Sequence, residues 1–243
     1  MAGTKLIIGG TSGIGLETAR QLIEAGETVV VASRDESRVE RASQSLGCEG
    51  RVLDARSFEA VQALVTELGD VDGLACLAGS ILLKPAHLTS SKELQDVLEN
   101  NLFTAFASVR AVAKMVPGPS SLVLMSTVAA ATGLPNHEAI AAAKGAVEAL
   151  ARSAAATYAG RSLRVNVVAP GLVETPMSER LTSRPNVRKI SESMIPLGRI
   201  GQPQEVAHIV AWLLRDLSGW VTGQVFRLDG GLSALHCPPR LVS

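Results

Sequence analysis

The chain has little that would suit an extracellular scaffold, a metal cage or a nucleic-acid binder. Its three cysteines, Cys48, Cys76 and Cys237, lie far apart and form no C-x-x-C pair. Neither a disulfide framework nor a zinc cage is indicated, and a reducing compartment fits best. Four Phe, two Trp and one Tyr are too few to stack the bases of single-stranded nucleic acid. Lys plus Arg and Asp plus Glu number 23 each, so no net charge draws the chain to nucleic acid or an anionic membrane. No apolar run approaches the roughly 18 residues of a membrane span. The opening MAGTKLIIGG lacks the apolar core of a secretory signal. His87 and His208 lack metal-ligand spacing, and the tail HCPPRLVS, with His236 beside Cys237, reads as a loose end. The expectation is a cytoplasmic protein without metal, membrane or nucleic acid, whose partner is a small molecule or another copy of itself.

What is abundant is apolar surface, 47% of 243 residues, enough for a large core. Apolar β-rich runs (KLIIGG, TVVVAS, RVLD, GLACLAG, SLVLMS, RVNVVAP, GQVFRLDGG) alternate with helix-period segments such as GLETARQLIEAG. The spacing predicts further helices over about 36–46, 57–68, 91–115 and 204–215, and one in HEAIAAAKGAVEAL. Strands buried on both faces read as continuous apolar runs. The fold expected is α/β, one domain over 1–243 built on a doubly wound parallel sheet with helices on both faces. Residues 172–201 break the alternation with a polar, proline-bearing, irregular stretch after a strand end, where a substrate lid would sit.

The first strand runs into GGTSGIG, placing Gly9, Gly13 and Gly15, with Thr11, Ser12 and Ile14, ahead of a helix. Glycines admit close approach, and the free N–H groups of a helix N-terminus attract a pyrophosphate. In a strand-turn-helix context this is a dinucleotide signal. The second strand ends at Ser33 and Arg34. An acid there would bind a ribose 2′-hydroxyl, whereas an arginine favours a 2′-phosphate and hence NADP(H); the competing reading is a solvated arginine opening the charged helix. Asp54, followed by Ala55, either accepts from an adenine amino group or serves as an ordinary strand-end aspartate.

These motifs resemble the short-chain dehydrogenase/reductase family along the chain from Lys5 to about Ser233. The family's TGxxxGxG falls on Ile8, Gly9, Gly13 and Gly15. Ala78-Gly79, Asn101, Asn166, Pro170-Gly171, Val173, Thr175 and the final GQVFRLDGG complete the likeness. The resemblance implies a Rossmann-type fold, NADP(H) as cofactor, a small-molecule substrate and a homodimer or homotetramer. It also implies an Asn-Ser-Tyr-Lys tetrad, of which Asn101 and Lys144 are retained. In the family the lysine binds the nicotinamide ribose, the asparagine supports a water relay and the serine holds the substrate oxygen. Here the serine falls on Thr127, with Ser126 beside it. The NNAG motif reads Cys76-Leu77-Ala78-Gly79, and the tyrosine acid falls on Ile140.

Thr127 keeps a hydroxyl, but Ile140 donates no proton, and general acid catalysis typically contributes about 10²- to 10⁴-fold. Tyr158, eighteen residues further along the same helix, lies roughly 27 Å away at 1.5 Å per residue. His137, three residues before Ile140, is a candidate donor if the helix already extends to it, and otherwise a capping or solvated group. Two functions compete. One is an NADP(H)-dependent oxidoreductase of a small carbonyl or alcohol, with the proton from water, Thr127 or His137. The other is a non-catalytic NADP(H)-binding sensor or assembly subunit.

Overall fold

The computed structural model describes residues 3–115 and 120–236; Cys237 and the rest of the tail after His236 lie outside them. The apolar runs form seven strands: β1 (Thr4–Ile8), β2 (Thr28–Ser33), β3 (Glu49–Val52), β4 (Val71–Cys76), β5 (Ser120–Met125), β6 (Leu163–Pro170) and β7 (Val225–Leu228). They make one parallel sheet in the order β3-β2-β1-β4-β5-β6-β7. Side chains alternate across it. Leu6 and Ile8 join a core on one face, while Ile7, Val29 and Val31 join a core on the other. Each fully buried Leu, Ile or Val contributes about 1.5–3 kcal/mol.

Of nine α-helices among the described residues, six cover these faces. The first core is closed by α3 (Phe58–Leu68), α5 (Thr104–Met115) and α6 (Glu138–Tyr158), and the second by α1 (Gly13–Glu24) and α9 (Pro203–Leu214), with Ala42 of α2 (Glu36–Leu46) at its edge. Local chemistry fixes several starts: Asp35 and Ser57 accept hydrogen bonds from Arg38 N and Ala60 N, and Ser90 with Glu93 forms a capping box. The single helix expected over 91–115 is instead α4 (Ser91–Leu98), a π turn at Glu99–Phe103, and α5. The wider turn carries Asn101 into the interior, and such turns cluster at functional sites.

The stretch expected to be irregular also differs. It holds two helices, α7 (Glu179–Thr182) and α8 (Pro185–Met194), the latter begun by Pro185 in its first turn. Its two ends are clasped: Val173 bridges Gly201, Gly201 N donates to Leu172 O at 3.0 Å, and Glu174 N donates to Gly201 O at 2.9 Å. Arg188 on α8 then reaches back to the Glu174 carboxylate at 2.8 Å. The order of strands reverses between β1 and β4, the switch point where parallel sheets of this kind open a crevice beyond their carboxyl ends.

Candidate active site

That crevice exists as a cavity of about 620 Å³. The residues expected to hold the nucleotide and substrate border it, whereas Cys76, Tyr158 and Asn166 do not; Asn166 spends its amide on Val221 O and Gln224 N. Gly9, Thr11, Ser12, Gly13, Ile14 and Gly15 line its floor; Ser33, Arg34, Asp54 and Ala55 line one end; Asn101, Thr127, His137 and Lys144 line the other. Ala78 and Gly79 lie between, and Pro170, Gly171, Val173 and Thr175 border it from the end of β6.

The floor is a turn that only glycine permits. Gly9 has φ +85°, and a Cβ there would stand 2.7 Å from Ala78 N. A Cβ on Gly15 would overlap the Gly9 carbonyl oxygen. The first strand and first helix therefore approach as closely as a bare backbone allows. Ser12 at the start of α1 makes no side-chain cap, and no acid stands in the first turn. The N–H groups left free there, with the helix dipole behind them, fit an anionic phosphate. A dinucleotide thus fits the residues present.

At the Arg34 end the charges are mostly positive. Arg56 holds the Asp54 carboxylate through Nε at 3.0 Å and Nη2 at 2.7 Å, and its backbone N–H donates to the same group. These bonds, aided by the charge of Arg34, hold the Asp54 pKa below the usual carboxylate range. Asp54 is therefore tied to its own strand end and retains only spare lone pairs for a ligand. Arg38 and Arg56 border the cavity as well. Neither stood out in the sequence, although Arg38 follows Arg34 by four residues, in the first turn of α2, and Arg56 follows Asp54 by two.

The opposite end is set by α6, whose buried positions Ala139, Ile140, Ala143, Lys144, Val147 and Glu148 recur at helical spacing. Lys144 is 7% exposed and donates to the carbonyl of Met125, the last residue of β5, at 2.8 Å. Its ammonium faces Gly79, where an added Cβ would lie 3.4 Å from Nζ. Burial lowers its pKa to about 8, with Cys76 opposing the shift. Burial also raises the Cys76 thiol, restrained by hydrogen bonding to Ser108 and by the Lys144 charge.

Asn101 donates to Val97 O at 2.8 Å and shares hydrogen bonds with Ser80 in both directions. The hydroxyl of Ser126 donates to buried Glu148 at 2.8 Å, which engages it with α6. Thr127, starting a 3-10 turn, has its oxygen 3.4 Å from Ala129 N, and its O–H is not committed by that contact. Ile140 is 4% exposed and packs with Val97, Ala139, Ala143, Leu82 and Leu98.

His137 stands just ahead of α6 rather than within it, after Asn136 in the left-handed conformation. Its Nδ1 lies 2.8 Å from the Pro135 carbonyl; a carbonyl only accepts, so Nδ1 carries the hydrogen and Nε2 is left for other work. The backbone bond from Lys84 N to Asn136 O at 2.8 Å ties this turn to the segment after Gly79.

A sequence model of the family described as enoyl-(acyl carrier protein) reductase matches residues 9–233. The chain is 35% identical over 240 residues to the 3-oxoacyl-[acyl-carrier-protein] reductase FabG of Thermotoga maritima, covering 93% of this chain and 96% of that one. It is 31% identical over 235 residues to the galactitol 2-dehydrogenase (L-tagatose-forming) of Cereibacter sphaeroides, covering 93% and 92%. A solved structure of a short-chain type dehydrogenase/reductase from Mycobacterium ulcerans superposes with a TM-score of 0.91 at 27% identity, covering 95% of this chain and 89% of that one. Such proteins use nicotinamide cofactors and bind small-molecule substrates, and they commonly oligomerise. Among the described residues no helix is long and apolar enough to cross a membrane. With a glycine-floored crevice at the switch point of a parallel sheet, and relatives matching from end to end, the chain belongs to the short-chain dehydrogenase/reductase family.

Proposed function

We propose that the protein is an NADP(H)-dependent oxidoreductase of a small carbonyl or alcohol substrate with an altered proton-delivery site. The supporting observation is one continuous crevice running from Arg34 over the glycine floor to Lys144 and Thr127. NADP(H), when bound, supplies or accepts the hydride. Backbone N–H groups from Gly9 to Gly15, with Thr11, Ser12 and Ile14, hold the pyrophosphate, and Ser33 and Arg34 hold the 2′-phosphate. Asp54 and Ala55 border the adenine. Lys144 binds the nicotinamide ribose from between Met125 O and Gly79, a stretch also bordered by Ala78. Pro170, Gly171, Val173 and Thr175 flank the nicotinamide.

Thr127 holds the substrate oxygen, and Asn101 positions Ser80 at the crevice wall. Ile140 stands where the family's acid would stand, so the proton comes from water, Thr127, or Nε2 of a His137 ring that has first taken up a second proton there. Positioning alone lowers a barrier by up to about 7 to 11 kcal/mol, which leaves room for turnover. The protein is expected in the cytoplasm as a homodimer or homotetramer, and Phe103 and Phe106, both exposed near the start of α5, supply apolar surface for association. A second reading, a non-catalytic NADP(H)-binding sensor or assembly subunit, is favoured by the burial of Ile140 among aliphatic neighbours.

Titration with NADPH and NADH tests the cofactor assignment. The wild type is expected to prefer NADPH, and Arg34→Asp should lose roughly tenfold to hundredfold of that preference, the value of a charge-assisted bond; an unchanged preference overturns the role of Arg34. Consumption of NADPH with a carbonyl panel, lowered by Lys144→Ala, supports the oxidoreductase. NADPH binding without turnover on any member supports the second reading.

A further inference from the structure

We propose that the substrate subsite takes an uncharged aliphatic ketone or the matching secondary alcohol, and selects against sugars and 2-oxo acids. This rests on the assignment of the crevice to NADP(H) and a carbonyl partner, and adds the chemical class of that partner.

Beyond Gly79 and Lys144 the crevice wall changes character. Ile81 and Leu83 project from the segment after β4, Leu134 from the turn before α6, and Met177, Leu181 and Met194 from the lid. Ile81, Leu83, Met177 and Met194 are all substantially exposed, a cost that an apolar ligand would relieve. The two methionines adapt their shape to a chain of variable length.

Most polar side chains at this end are already engaged, and the Thr127 hydroxyl and Nε2 of His137 that remain are placed for the reacting oxygen. Ser191 donates its hydroxyl to Val187 O at 2.9 Å, and Ser178 donates to Val173 O. Ser80 accepts from Asn101, and His137 spends Nδ1 on Pro135 O. A polyol would bury hydroxyl groups against hydrocarbon with few fresh partners, at about 1–3 kcal/mol for each unsatisfied group.

Cations for a carboxylate are likewise held elsewhere. Arg188 is paired with Glu174 and Glu192, and Lys84 with Glu93, and neither borders the cavity. The bordering arginines, Arg34, Arg38 and Arg56, cluster at the far end with Asp54. Lys144 is the remaining cation, and it is buried against Met125 O beside the position assigned to the ribose. An anionic substrate would thus enter an apolar mouth with no charge partner of its own.

The test uses the full-length protein saturated with NADP⁺ or NADPH, with ligand binding read by calorimetry or saturation-transfer NMR. The probes are straight-chain 2-ketones from butanone to decanone, 2-oxo acids of matched length, and ketoses. Affinity for the ketones should rise about threefold to fourfold per methylene while the chain still fits, and each ketone should bind better than the oxo acid or ketose of its size. Met194→Glu should flatten the chain-length series. A flat series in the wild type, or tighter binding of oxo acids or ketoses, overturns the inference while the functional reading stands. Failure of the nucleotide itself to bind overturns the reading instead.

Discussion

The two ends of the crevice are built from different materials. At the Arg34 end and along the floor, the site is backbone, glycine and arginine. Its shape follows from Gly9 at positive φ and from the contact between Gly15 and the Gly9 carbonyl. At the Lys144 end it is made of side chains buried in hydrocarbon: Ile140 among Val97, Leu82 and Ala143, Cys76 beside Lys144, and Asn101 turned toward Ser80. On the proposed function, nucleotide binding and proton delivery depend on separate sets of residues. A change at one end leaves the other standing, and a site can lose its acid without losing its nucleotide.

The largest expected effect comes from placing an acid at position 140. Ile140→Tyr should raise NADPH-dependent carbonyl reduction by about 10²- to 10⁴-fold if the rest of that end is in place, read as kcat with the best ketone. No gain would mean that Cys76-Leu77 or the Asn101–Ser80 pairing also blocks turnover.

A smaller effect concerns the buried charge of Lys144. Its folded pKa of about 8 lies below the ordinary lysine value of 10.5, so between those pH values the unfolded chain binds more protons. Stability therefore rises with pH across that window. Urea unfolding should show wild type gaining on Lys144→Met by up to about 3 kcal/mol from pH 7 to pH 10.5, at 1.36 kcal/mol per pH unit. A constant difference would mean that the ammonium is solvated.

The smallest effect tests the floor. Gly15→Ala should cost about 1–3 kcal/mol of stability through overpacking and weaken NADPH at least tenfold, an order-of-magnitude expectation from the same displacement. A full-strength NADPH titration in a destabilised variant would separate the turn from the phosphate contact.

Much of this layout was legible in the sequence. Parallel strands covered on both faces leave continuous apolar runs, and Asp35 and Ser57 stand where α2 and α3 were expected to begin. The glycine turn and Arg34 were legible because adjacent residues carry them. The π turn was not, because a π turn is a matter of main-chain pairing and the apolar residues of 91–115 suit an unbroken helix. Helix α8 did leave a signal, Pro185 followed by Val187, Ile190 and Met194 at helical spacing, but the polar composition around it hid the stripe. Pairings between distant residues, Ser126 with Glu148 or Asn101 with Ser80, leave no local pattern. For that reason Ser126 looked interchangeable with Thr127 until the fold engaged its hydroxyl.

The clasp between Val173 and Gly201 has a consequence for divergence among relatives. Because the segment between β6 and α9 is closed at one hydrogen-bonded doorway, it can be lengthened, shortened or exchanged with little added entropy of closure. The lid is in effect a cassette. A graft joined after Thr175 and before Gly201 would exchange one substrate preference for another while the glycine floor and the helix behind it keep their own contacts.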